Sequence, residues 1–222
     1  GKFNEIQKVV ERGFESISID NETVADTIRI ELAHLHSQEF TYQGIFQKTG
    51  LRKRDNINNA IDELINHGYL LKKKPILFDE AHRSYLSVFS YVDSGIVTYL
   101  TAGKPDERTI GRRIEGVIHA RLEDIVKNYI PLKSSLFYYK PYTIDSNDKI
   151  KYKPGEIDFV FKCGERIVPI EVKASANLSS IDVKLLTEFI NDHKLPFGIV
   201  LYNGVPFANE ETRIIYWPYW LV

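Results

Sequence analysis

The feature that most constrains this chain is the stretch GEIDFVFKCGERIVPIEVKAS, Gly155 to Ser175, in which two apolar runs are joined by a short Gly-containing turn yet carry Asp158, Glu171 and Lys173. Strand alternation puts Glu156, Asp158, Val160 and Lys162 on one face of the first run, opposite Ile157, Phe159 and Phe161. In the second run Pro169, Glu171 and Lys173 share a face opposite Ile170 and Val172. Paired as a hairpin through CGER, the two runs set Asp158 and Glu171 on one side, with the Lys173 amine beside them.

Such a cluster is costly unless something neutralises it, because adjacent carboxylates repel, and a cation is the usual remedy. All-oxygen ligation suits a hard ion such as Mg²⁺, or Mn²⁺, held by one or two carboxylates together with phosphate and water. Asp158 and Glu171 are the expected metal ligands. Lys173 would position or deprotonate the attacking water, or stabilise charge on phosphate, the division of labour needed for metal-assisted phosphodiester hydrolysis.

The rest of the chain supplies the setting. Val24, Ile28, Leu32 and Leu35 recur at helical spacing within Glu22–Gln38, and a second helix fits Thr41–Gly50. A third spans Leu51–Leu70, with Ile57, Ile61, Leu64 and Ile65 as its apolar stripe and Gly68 as its stop. Two strand-like runs follow, Tyr69–Asp79 and Arg83–Asp93, so that helices and strands together predict a winged helix over residues 1–102. The polar segment Gly103–Thr109 marks the boundary.

Over 103–222, Ile110, Ile114, Val117, Ile118, Leu122 and Ile125 line a long helix. Strands are predicted at Leu136–Tyr139, Glu156–Lys162, Arg166–Lys173, Phe197–Tyr202 and Arg213–Trp217, with a helix at Ser180–Asp192 capped by Ser179 or Ser180. Thr143–Lys153 reads as a flexible hairpin loop. The order of elements is that of an α/β domain.

On these residues the second half resembles the PD-(D/E)xK nuclease superfamily, whose site joins an Asp, an ExK triplet on the next strand and a Glu on the preceding helix. Asp158 matches the Asp, Glu171 and Lys173 the triplet, and Glu115 in IGRRIEGVIHARL the helical Glu. The resemblance implies an N-terminal winged helix followed by a nuclease-like mixed sheet flanked by helices, with Glu115 as accessory ligand or base. More widely, the chain resembles the C-terminal region of bacterial and archaeal AAA-type ATPases, whose N-terminal P-loop domain would be its partner in the same protein. The Gly-Lys pair in TAGKP lacks the rest of a P-loop, so ATP hydrolysis is not expected of these residues. The absence of Met and the opening Gly-Lys lead us to expect a fragment of a longer protein.

Two functions of different classes fit: Mg-dependent DNA hydrolysis, or a non-catalytic module that binds DNA or a protein partner. Arg52, Lys53 and Arg54 open the third helix, where a helix-turn-helix reader would meet the DNA backbone, or where the ATPase domain would pack. Lys184 is a further candidate phosphate contact, against the plainer reading of a solvated lysine. Lys72–Lys74 read as a charged, solvated turn at the wing, His34 and His36 as surface residues, and the closing IIYWPYWLV as a core strand and packed tail.

A net charge of −1 gives no global attraction to a polyanion, so any DNA contact must be local. The single Cys163 leaves no internal disulfide and no zinc pattern. No apolar run approaches the ~20 residues of a membrane helix. A soluble protein in a reducing, cytoplasmic setting is expected.

Overall fold

The structure, a computed structural model, describes residues 22–50, 54–78, 86–103, 107–130, 133–147 and 149–222. Among them the chain is mixed α/β, with six helices and sheets of three, six and two strands. It divides into two compact units, one of residues 1–72 and 86–120, the other of 73–85 and 121–222.

In the first unit α1 (Glu22–His34), α2 (Tyr42–Thr49) and α3 (Arg54–Asn66) pack against a sheet ordered β1 (Gln38–Phe40), β3 (Ser87–Tyr91), β2 (Leu70–Lys73). The apolar stripes explain the packing: Ile28, Leu32, Ile45, Ile57, Ile61 and Leu64 are buried in one core with Leu70, Phe89 and Tyr91. Thr41 starts α2 by accepting the Gly44 N–H at 3.1 Å, and Gly50 ends it at φ 69°, a left-handed turn that favours glycine. Helix α4 (Ser94–Leu100), capped by Asp93 on the Gly95 N–H at 2.6 Å, and the three-residue β1 are elements the sequence pattern does not separate from their neighbours.

Two local expectations are corrected here. His36 is buried, its Nδ1 accepting the Tyr91 N–H at 3.1 Å. Lys73 is no part of a solvated turn: it ends β2 with its side chain buried. Arg52 and Lys53 lie outside the described residues, as does the side chain of Arg54; residues 104–106 of the polar boundary segment lie outside them too.

The second unit is built on the sheet β10 (Phe207–Asn209), β11 (Ile214–Pro218), β9 (Gly198–Tyr202), β8 (Arg166–Lys173), β7 (Ile157–Cys163), β4 (Ser134–Tyr139), in that order. β9 runs parallel to β8 and β11, and the outer pairs are antiparallel. α5 (Glu107–Asn128) precedes this sheet in the chain, and α6 (Lys184–Asp192) lies between β8 and β9.

Leu186, Phe189 and Ile190 of α6 bury against Val160, Val200, Ile214 and Tyr216. Gly198 is small because α6 sits close above it: a methyl there would stand 2.8 Å from Ile190 Cδ1. The expected loop at 143–153 carries a short hairpin, β5 (Tyr142–Ile144) with β6 (Ile150–Tyr152). α6 starts later than the sequence suggests, at Lys184, with no side-chain cap. The reason is Asp182, whose Oδ2 accepts both the N–H and the Oγ–H of Ser179 at 2.7 Å, folding residues 179–183 into turns.

Candidate active site

The antiparallel ladder of β7 and β8 runs from Cys163–Arg166 to Phe159–Ile170. Beyond that last pair the Asp158 side chain takes over: its Oδ2 accepts the Val172 N–H at 2.7 Å. Two residues along β8 from Glu171, Lys173 returns along the same face and its Nζ meets Glu171 Oε1 at 2.5 Å. The structure therefore brings Asp158, Glu171 and Lys173 together at the open end of one hairpin.

A fourth group joins them that the sequence reading missed. Lys73 Nζ donates to the Asp158 main-chain oxygen at 2.8 Å and lies 4.0 Å from the centre of the Phe159 ring. The signal available was a lysine in the apolar run LLKKKPILF; its partner is 85 residues away, beyond the reach of any local pattern.

The electrostatics follow from burial. Glu171 is 6% exposed, and desolvation, with the Asp158 charge adding to it, pushes its carboxyl up to about 8, although Lys173 pulls the other way. Desolvation raises Asp158 as well, opposed by the Lys73 charge, the Val172 N–H and Lys173. Burial works to lower the Lys173 ammonium, but the charge and hydrogen bond of Glu171, with Asp158 and Asp182, outweigh it and hold it above its ordinary value. Both carboxyls therefore hold protons more tightly than ordinary carboxylates, and a divalent ion bound between them would displace a proton.

A cavity of about 460 Å³ opens next to this cluster, lined by Ser179, Tyr202, Phe207, Thr212 and Tyr216 among others. Lys173 pairs with Tyr202 across β8 and β9, and Glu171 with Val200, so these side chains share one face of the sheet. Phe207 stacks on Tyr216 with ring centres 4.2 Å apart.

Glu115 lies on α5 within the first unit and is half-buried. Lys184 opens α6, exposed, its Nζ 3.8 Å from Glu188 Oε1. Among the described residues no three His, Cys, Asp or Glu side chains gather as a ready metal cage; the acidic donors that meet are Asp158 and Glu171. No helix among them is long and apolar enough to cross a membrane.

Residues 116–221 match the family model described as Domain of unknown function (DUF4143). That span contains Asp158, Glu171, Lys173 and Lys184; Glu115 stands one residue before it. Among solved structures the chain is similar to the crystal structure of protein VC1899 from Vibrio cholerae, at 10% identity and a TM-score of 0.36, covering 96% of this chain. The chain spans about half the length of that one, 52%. No curated protein matches.

Proposed function

We propose that the second unit is a nuclease-like module of the PD-(D/E)xK type, acting in metal-dependent hydrolysis of DNA phosphodiesters. The observation that carries this reading is the convergence of Asp158, Glu171 and Lys173, with Glu171 raised to about 8 by burial and by its neighbour's charge. Two buried oxygen ligands that repel each other fit a hard divalent ion, so Asp158 and Glu171 would hold Mg²⁺ or Mn²⁺. The ion would supply Lewis acidity at the scissile phosphate and lower the pKa of bound water.

The chain's own residues do the rest. Asp158 is fixed by the Val172 N–H, and Glu171 by Lys173. When Glu171 turns to a cation, the Lys173 ammonium is released to orient the water or meet the phosphate oxygens. Glu115 is proposed as the accessory ligand or base and Lys184 as a phosphate contact.

Helices α1 to α3 of the first unit, with the three-stranded sheet, are read as a winged helix, with Arg52, Lys53 and Arg54 as its DNA-facing triplet. The matched domain is one found in C-terminal regions associated with AAA ATPases, which supports an ATPase domain of the same protein as the partner.

A second reading has an observation of its own. The 2.5 Å contact between Lys173 and Glu171 already neutralises the cluster, as a structural ion pair would. On that reading the module is non-catalytic and binds DNA or a protein. A cleavage assay on single-stranded, duplex and branched DNA, with EDTA, Mg²⁺ or Mn²⁺, separates the two: metal-dependent nicking supports the first, its absence with retained DNA binding the second.

A further inference from the structure

Arg113 is a buried cation without a counter-charge among the described residues. It is 8% exposed; its Nη1 donates to the Ser94 carbonyl at 3.3 Å and to Thr98 Oγ1, and its Nη2 to the Gly103 carbonyl at 3.4 Å. All three acceptors are neutral, its Nε has no hydrogen-bond partner, and no carboxylate among the described residues pairs with it. Burying a guanidinium this way is costly unless an anion compensates it.

The space for that anion is present. A cavity of about 170 Å³ within the first unit is walled by Arg113, Arg112, His34, His36, Thr101 and Thr109, with Ala33 and Val97 as apolar lining and, among the described residues, no acidic side chain. Among the described residues the titratable side chains on the wall are arginines and histidines, and the planar Arg113 fork suits tetrahedral oxyanions.

We infer that this cavity, between α1, α4 and α5 in the first unit, binds a phosphate group. It is separate from the carboxylate cluster and does not depend on the nuclease reading. The group can come from free phosphate, a nucleotide or a nucleic-acid backbone, and the arms of the test distinguish them.

The test is calorimetric titration of the full chain at fixed ionic strength with inorganic phosphate, a nucleoside monophosphate and a single-stranded oligonucleotide, in EDTA. Saturable phosphate binding is expected, at least tenfold weaker in Arg113→Gln and several-fold weaker in Arg112→Ala. Arg112 is exposed and, among the described residues, forms no ion pair, so its variant is expected to fold and decides the matter if Arg113→Gln does not. A competing oligonucleotide assigns the backbone as the source, and tighter binding of the monophosphate than of phosphate assigns a nucleotide. No phosphate binding, or binding unchanged in both variants, overturns the inference.

Discussion

Lys73 Nζ and the main-chain oxygen of Asp158 meet at 2.8 Å inside the second unit, so the backbone that presents the first carboxylate is held by a buried cation. Lys73→Met keeps the aliphatic stem but leaves that carbonyl without its donor, at a cost of ~1–3 kcal/mol. The variant also removes one of the charges that lower Asp158. We expect a lower urea midpoint and, on the nuclease reading, weaker Mn²⁺ uptake at pH 7, both measured on the same preparation. Unchanged unfolding would mean that the contact contributes nothing.

The raised carboxyls fix a pH dependence. Glu171 goes from 4.5 to about 8 on folding, so between those values the folded chain binds more protons than the unfolded chain. Stability therefore falls as pH rises through that window, opposite to the usual acidic group, and Asp158, also raised, adds to the decline. Glu171→Gln should flatten the decline and be more stable than the parent at pH 9, by chemical denaturation. Saturating Mn²⁺ should flatten it in the parent if the cluster takes a metal. A Glu171→Gln variant whose stability follows the parent's between pH 5 and 8 would contradict the raised Glu171.

The hairpin was legible because everything that builds it is local. Alternation in IDFVFKC and RIVPIEVK, with Gly164 at φ 59° in the turn, settles register and face within about twenty residues. Lys73 and His36 were not legible, since a polar residue's burial is decided by partners distant in sequence, Asp158 for one and Tyr91 for the other. The start of α6 was misjudged because two serines looked like caps, while Asp182 uses Ser179 to close a turn instead.

Gly198 reports on how closely α6 packs over the sheet. A methyl there would stand 2.8 Å from Ile190 Cδ1 and 3.2 Å from Leu186 Cδ1, both inside the core. Gly198→Ala should cost ~1–3 kcal/mol through overpacking, read from thermal or urea unfolding. Ile190→Val in the same chain should recover part of the loss, because it removes the methyl that is struck. A neutral Gly198→Ala would show that α6 shifts freely.

The sharpest test of the proposed chemistry uses Lys173 and Asp158 in parallel. Lys173 touches Glu171 but is not a metal ligand on this reading, so Lys173→Ala should retain Mn²⁺ binding by calorimetry while cleavage falls by roughly 10²–10⁴-fold, the range for losing a group that handles the attacking water. Asp158→Asn can still accept the Val172 N–H, so the hairpin should survive, yet it withdraws one of the two acidic ligands. It should lose both metal uptake and cleavage. Far-ultraviolet dichroism and the urea midpoint of each variant separate lost chemistry from lost fold. If the parent takes up no Mn²⁺ or Mg²⁺, the three side chains are a structural ion-pair network and the non-catalytic reading stands. If nicking persists undiminished in both variants, it comes from another site, and the assignment of hydrolysis to this hairpin fails.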